Sequence, residues 1–454
     1  MIFPSFFRRK MRHDDKMCLE IQGATLIVGD FPNQQRKKRT MKKLSSFIFA
    51  ALLSLGGLLH AGGFQLYSES ATDMLGTAGS GVARGGRASA AWYNPATTVD
   101  IDRITVTGGG SLLSLSSEYS TSTASDDLVD KIRMTGFFYG VAPLGDDFRL
   151  NLSVNAPYGM ITQWEPDSQL SSLSTYTCLR VCYISPSITW KVNDQLSFAA
   201  GPDIAIGVAR LANYIDIPVP GQKRNKMYMS AESMGIGGFA AVYYKPSDEW
   251  GFGAKFQSRI HMRFDGDVKY RYREYLNGAL KFHNADAHAS IDMPASVALG
   301  IRNNSFERWT FLFDAVWTKW SSYKALNLSF DKYPGTTTPG EVKNPREWHD
   351  VWTYHAGAEY KLTDRWTLMA GFDYDNSPSN SRSTSPEMPD SDKFLIGVGV
   401  GYLADNWGFD IAYGYSRFTK TNLGSRVAAA KGIAERGTFK SDCHILSASV
   451  TLRF

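Results

Sequence analysis

Reading backwards from Phe454, apolar residues fall on every second position, at Leu452, Val450, Ala448 and Leu446, with Arg453, Thr451, Ser449 and Ser447 between them. A period of two is the signature of a strand with one apolar and one polar face. The pattern recurs up the chain. Trp407, Phe409, Ile411, Tyr413 and Tyr415 alternate with Gly408, Asp410, Ala412, Gly414 and Ser416, and Phe394, Ile396, Val398, Val400 and Tyr402 alternate with Leu395, Gly397, Gly399 and Gly401. Trp366 to Tyr374 and Trp309 to Trp317 repeat it. Aromatics at the ends of the apolar face, with Gly, Ser and Asp opposite, suit strands whose greasy side meets lipid around a more polar interior.

The turns carry a second regularity. Asp146-Asp147-Phe148, Asp194-Gln195-Leu196, Asp248-Glu249-Trp250, Glu307-Arg308-Trp309, Asp364-Arg365-Trp366 and Asp405-Asn406-Trp407 each give an acid, one spacer and a large apolar residue that opens a strand. These predict six tight hairpin turns on one side. Between them lie polar-rich segments at 114–133, 156–182, 210–234, 264–292, 320–350, 376–392 and 419–442, which predict seven long loops on the other. Short periplasmic turns opposite long extracellular loops are the asymmetry of outer-membrane barrels. The count gives an all-β, 14-stranded antiparallel transmembrane β-barrel over residues 101–454, with the aromatic carboxy-terminus Phe454 as its handle for the barrel-assembly machinery.

The amino-terminal part follows other rules. From Met41 the chain reads Met-Lys-Lys, then an apolar run from Leu44 to Leu59, then His60-Ala61 before Gly62. This is the order of a secretory signal peptide over 41–61, its apolar run being shorter than the ~20 residues a spanning helix needs. Residues 1–40 then form an upstream extension, explained most simply by a true start at Met41. Eleven basic and four acidic residues precede Gly62, so without them the formal net charge of +5 becomes about −2. The apparent basicity therefore implies no nucleic-acid partner. Cys178 and Cys182 are spaced to close a small disulfide ring or to remain unpaired, and no residues nearby complete a zinc site.

Residues 62–100 break the pattern: Gly62-Gly63-Phe64-Gln65-Leu66, then Gly76, Gly79, Gly81, Gly85 and Gly86, then Ala91-Trp92-Tyr93-Asn94-Pro95-Ala96. Irregular backbone finds no hydrogen-bond partners in hydrocarbon, so this segment belongs in the periplasm or inside the barrel. Its Gly79-Ser80-Gly81-Val82-Ala83-Arg84-Gly85 run has the look of a phosphate loop but lacks the preceding strand.

Gly62-Gly63-Phe64-Gln65-Leu66 with Asn94-Pro95-Ala96 resembles the amino-terminal hatch of the FadL/TodX family of outer-membrane transporters. The likeness continues through Asn155-Ala156-Pro157-Tyr158-Gly159-Met160, Asp292-Met293-Pro294, Trp317-Thr318-Lys319-Trp320 and Asp373-Tyr374-Asp375-Asn376-Ser377-Pro378. The resemblance implies a barrel plugged by its hatch (62–100), importing long-chain fatty acids or hydrocarbons passively as a monomer, with no enzyme activity and no cofactor. It further implies that Asn94, Pro95 and Ala96 pack against an inward kink of the third strand at Asn155, Pro157, Tyr158 and Gly159, and that cargo leaves sideways into outer-membrane lipid.

On the residues alone, Pro157 either starts a loop or breaks the strand pairing. An acyl chain gains about 0.8 kcal/mol per buried CH₂, which favours an apolar pocket with an exit into lipid over a watery pore. Arg210, Lys343 and Arg346 are candidates for a cargo carboxylate, although each taken alone reads more readily as a solvated loop charge. Met160, Ile161, Trp164, Leu170, Tyr176 and Leu179 suit either a landing groove or loop packing. A general porin, a structural or adhesive barrel, and a lipid hydrolase using His288 and Ser290 are the alternative readings.

Overall fold

The computed structural model describes residues 65–454 apart from 216–224, 274–279 and 333–338, together with two short strands near the amino end, Cys18–Ile21 and Ala24–Ile27, which pair with each other. The expected extension and signal peptide otherwise lie outside the described residues, as do Gly62, Gly63 and Phe64.

Fourteen strands close a barrel. They are β1 (Thr105–Ser120), β2 (Ile132–Leu144), β3 (Phe148–Gln163), β4 (Tyr176–Lys191), β5 (Leu196–Ile215), β6 (Asn225–Tyr244), β7 (Trp250–Gln257 and Ile260–Arg273), β8 (Leu280–Met293 and Ser296–Phe306) and β9 (Trp309–Thr318 and Ala325–Phe330). The last five are β10 (Gly340–Pro345 and Val351–Lys361), β11 (Trp366–Asp375), β12 (Lys393–Leu403), β13 (Trp407–Phe418) and β14 (Thr438–Arg453). Sequential strands pair antiparallel, and β14 closes on β1 from Arg453↔Thr105 to Thr438↔Ser120. Closure satisfies the ladder along most of the wall, the exception being the upper part of the β2–β3 pair.

Parity decides the faces as the alternation predicted. Ile411 and Tyr413 of β13 are exposed while Asp410 and Ala412 are buried, and Phe311 and Phe313 of β9 are exposed while Asp314 is buried. Each of the six tight turns lies where an acid precedes a large apolar residue, and Phe148, Leu196, Trp250, Trp309, Trp366 and Trp407 open the strands that follow.

The loops are shorter than the polar segments suggested. β5 and β6 stay paired out to Ile215↔Asn225 inside the expected 210–234 loop, and the two strand segments joined at Arg273↔Leu280 fill most of 264–292. Beyond the lipid a strand no longer needs an apolar outer face, so the sequence signal ends while the hydrogen-bond ladder continues.

Inside sits the segment before β1. It folds as short pieces, a 3-10 turn at Ser68–Ser70, helices at Thr72–Gly76 and Ala90–Tyr93, and a 3-10 helix at Pro95–Asp100. Its residues are almost all buried.

Candidate functional site

The alternation reverses phase partway up several strands. In β7, Phe252 and Phe256 point outward, but after Ser258-Arg259 it is Ile260, Met262 and Phe264 that are buried inside while His261 and Arg263 face out. Similarly, β8 buries Ala287, Ala289, Ile291 and Met293 before its break and exposes Leu299 and Ile301 after it. β9 exposes Phe311 and Phe313, then buries Leu326, Leu328 and Phe330. The upper lumen thus holds a packed apolar cluster, the cup, which joins these residues to Met227 and Met229 of β6, Met160 of β3, Leu179 of β4 and the rings of Tyr158, Trp320, Tyr323 and Trp348. Unbranched thioethers fill such a space adaptably, which suits varied apolar shapes.

The hatch forms the floor of the cup and is seated on one side of the wall. Gly81 and Val82 donate backbone N–H to Asp314 Oδ2 at 2.6 and 2.8 Å. The phosphate-loop-like run therefore does cradle an acidic group, the Asp314 carboxyl of the protein's own wall. Arg84 pairs with Asp73 and with Glu359 at 3.1 Å, and Arg87 with Asp410 at 2.8 Å. Burial pushes the Asp73 carboxyl up, but Arg84, Arg87 and the Ser89 hydroxyl outweigh it and hold it below the ordinary range. Glycines make room: a side chain at Gly371 would strike the Thr77 carbonyl, at Gly397 the Leu75 carbonyl and at Gly253 the Val82 carbonyl.

On the other side the wall is incomplete. β2 and β3 pair from Leu144↔Phe148 up to Phe138↔Val154 and then part. Toward β4, β3 carries a bulge between Asn155 and Tyr158, so the strand bends where Pro157 has no N–H to give. The freed edge is met by the hatch: Leu66 N–H donates to the Pro157 carbonyl at 2.9 Å, and Gln65 bridges Tyr158. Above, the frame closes again, with Val129 N–H on the Gln163 carbonyl at 2.8 Å and Leu128 bridging Trp164. The result is an unpaired stretch bounded below and above, with the Tyr158 ring tilted against Tyr183 and edge-on to Trp320, each 6.0 Å away between centroids.

Of the residues singled out from sequence, Asn155, Pro157, Tyr158 and Gly159 come together at this bend and are buried. Asn94, Pro95 and Ala96 lie elsewhere in the hatch contacts. Asn94 Nδ2 donates to Val242 at 3.1 Å and Val82 at 2.8 Å, Thr189 Oγ1 donates to the Pro95 carbonyl at 2.8 Å, and Ser197 Oγ to the Ala96 carbonyl at 2.8 Å. These bonds run to β4, β5 and β6. The following 3-10 helix meets β3 through Arg149, well before the bend, where Nε donates to the Ile101 carbonyl at 2.7 Å.

The basic candidates scatter. Lys343 is an exposed strand residue beside Glu341 at 3.6 Å, and Arg210 shares the outward parity of the exposed Ile206. Arg346 is buried near the cup, but Glu387 already holds it at 2.8 Å and Ser385 at 3.0 Å. Met160 and Leu179 belong to the cup, whereas Trp164 and Leu170 pack the loops with Tyr119 and Phe439. Cys178, Cys182 and Cys443 are free thiols. The ring nitrogens of His288 face Asp265 at 2.6 Å and Asp331 at 3.9 Å rather than Ser290. Sequence reading missed the Gln65–Leu66 contact and the apolar cup. The latter was signalled by Met262-x-Phe264 and Ala287-x-Ala289-x-Ile291-x-Met293, alternations hidden in segments taken for loops.

Comparison with known proteins agrees with this architecture. Residues 52–454 match the model of the outer membrane protein transport protein family (OMPP1/FadL/TodX). The long-chain fatty acid transport protein of Escherichia coli K12 is 23% identical over 417 residues, covering 82% of this chain and 92% of that one. A Pseudomonas aeruginosa FadL homologue superposes with a TM-score of 0.74 at 22% identity, over 86% of this chain and 100% of that one. The Pseudomonas putida toluene transporter TodX gives 0.72 at 17%, over 86% and 99%. The chain belongs to the OMPP1/FadL/TodX family of transport proteins of the Gram-negative outer membrane.

Proposed function

We propose that this protein admits hydrophobic compounds, long-chain fatty acids or hydrocarbons, through the outer membrane by passive diffusion from the apolar cup, past the hatch, and sideways through the gap beside the bend in β3. The observation that carries the reading is the loss of β2–β3 pairing above Phe138↔Val154 next to a lumen lined by methionine and aromatic side chains. An oily solute gains about 0.8 kcal/mol per CH₂ on leaving water, so it enters the cup downhill and passes from there into lipid without an energy source. No cofactor has a role in that scheme.

In this reading Gln65 and Leu66 are the movable cover of the gap, held to β3 through Pro157 by one backbone hydrogen bond and one bridge. Asn94, Pro95 and Ala96 anchor the far end of the hatch to β4–β6, so that the amino-terminal end can yield while the rest stays. Names of relatives include both a fatty acid transport protein and a toluene transporter, which frames the cargo as long-chain or aromatic. A watery general porin is disfavoured by the buried hatch.

Pro157→Val tests the scheme by restoring a donor and a strand-forming residue at the bend. Uptake of radiolabelled oleate and of hexadecane by cells expressing the variant should both drop severalfold, with normal surface amounts and normal heat-modifiable gel mobility. Wild-type rates in that variant would sink the lateral route.

A further inference from the structure

We propose that Arg133, Arg180 and Arg210 form a site on the outer wall for the phosphate of an outer-leaflet glycolipid, beside the unpaired stretch between β2 and β3. The inference concerns the lipid around the barrel and does not depend on the transport reading.

On β4 the even-numbered residues face out, from the exposed Trp190 and Ile188 up to Cys182, Arg180 and Cys178. β5 pairs with it at Cys182↔Ile206 and Cys178↔Arg210, so Arg210 stands diagonally across from Arg180 on the same face. Arg133 approaches from the other side. It alternates with the exposed Ile132 and Met134, and so turns to the inner face of β2, where it is 7% exposed. Ile161 and Cys178 keep the outward parity of β3 and β4 yet are buried. Tyr176 lies within electrostatic reach of Arg133 and Arg210, and Cys178 within that of Arg180 and Arg210. Above the bend, then, the inner face of β2 overlaps the outer face of β3 and β4, and three guanidinium groups meet at the overlap.

Like charges gathered in a half-buried place repel one another and call for an anion. Among the described residues none of the three stands within ion-pair distance of a carboxylate, including Glu232 of β6, which is diagonal to Arg210 across the Arg210↔Ser230 pair. The Nε atoms of Arg180 and Arg210 are buried without a hydrogen-bond partner. Cations on the outer face of β7 are matched instead: Arg259 by Asp292 at 3.1 Å, Arg263 by Asp265 at 3.0 Å and Lys269 by Asp267 at 3.3 Å.

Height selects the anion. Ile132 pairs with Ser114 and Ser114 with His444, which sits against the rings of Tyr413 and Tyr415, while below the arginines Ile206, Ile188 and Trp190 face lipid. An aromatic rim above an apolar band marks the headgroup level of the outer leaflet. In a Gram-negative outer membrane that leaflet is lipopolysaccharide, whose lipid A headgroup carries phosphates, and guanidinium forks match phosphate oxygens two at a time. A lipid held there lays its acyl chains along the unpaired stretch.

The test is native mass spectrometry of the full barrel, stripped of lipid in detergent and then offered equal amounts of lipid A and of the same lipid A with its phosphates removed. Wild type should retain the phosphorylated form about tenfold more. Arg133→Met, Arg180→Met and Arg210→Met should each lower that ratio about twofold, and the triple variant should bring it close to one with normal heat-modifiable gel mobility. Arg259→Met combined with Arg263→Met, which removes two cations already matched by acids, should leave it at the wild-type value. A ratio near one in wild type overturns the proposal, as does an unchanged ratio in the single variants, which decides the matter even if the triple variant fails to fold. An equal loss in the Arg259 and Arg263 variant also overturns it, since charge anywhere on the wall would then suffice. So does displacement of lipid A by equimolar inorganic phosphate, because the site would then be one for the free ion.

Discussion

The two sides of the barrel treat the hatch differently. Along β7 to β13 the wall yields volume to it, with glycines at 253, 371 and 397 opposite hatch carbonyls, and grips it through Asp314, Glu359 and Asp410. At the β2–β3 edge the hatch is held by the Leu66 N–H on the Pro157 carbonyl, a bridge from Gln65 to Tyr158, the Tyr139 hydroxyl on the Ser70 carbonyl and, well before the bend, Arg149 on the Ile101 and Val99 carbonyls. Buried polar atoms without a partner among the described residues occur on both flanks, Asp314 Oδ1, Ser80 Oγ and His355 Nε2 at the seat and the hydroxyls of Thr135 in β2 and Ser153 in β3 at the edge. The hatch is thus held by buried ion pairs on one flank and by hydrogen bonds on the other.

The strongest way to break this asymmetry is to fill the seat. Gly371→Val drives a side chain into the Thr77 backbone and should cost about 3 kcal/mol of hatch stability, because the overlap is with main chain that cannot rotate away. Planar-bilayer recordings should then show a large, open conductance that wild type lacks. A closed, wild-type trace would mean the seat is not what holds the hatch.

A smaller effect is expected from pH. Burial pushes the Glu69 carboxyl up to about 7, Asp375 adds to the rise and Lys393 opposes it. Between pH 4.5 and 7 the seated hatch therefore keeps a proton that the released chain has lost, and seating weakens as pH rises through that window. Amide exchange of residues 66–80 should quicken from pH 5 to pH 7, after correction for intrinsic rates, and Glu69→Gln should remove the dependence. Exchange that is insensitive to pH in wild type would contradict it.

The least effect is expected at the loose flank. Thr135→Val deletes a hydroxyl that has no hydrogen-bond partner among the described residues, so thermal stability should change by under about 0.5 kcal/mol or rise slightly. A loss of about 2 kcal/mol would show that the hydroxyl has a partner and that this edge is tighter than its pairing suggests.

Much of the architecture could be read from residue order. Strand number, the six turns and the lipid face follow from alternation, since a membrane strand must show one face to hydrocarbon, and Trp407, Ile411 and Tyr413 are visible one by one. Pro157 signalled an interruption, because a missing N–H is a local property, but a loop start and a bend within the strand read alike until the pairing partners were known. What the sequence could not disclose is which distant pieces meet. Gly371, Gly397 and Gly253 read as small interior residues and became the seat only once the hatch backbone lay against them. Gly81 and Val82 read as a loop and became the cradle of Asp314, more than two hundred residues away. The upper strands read as loops because their polarity inverts above the lipid, and the solvent outside a barrel is decided by its height in the membrane, which no linear pattern records. Tertiary structure alone also chose which cations meet an acid, as Arg84, Arg87 and Lys393 do, and which meet carbonyls, as Arg149 does, since pairing depends on three-dimensional neighbours that the order of residues does not supply.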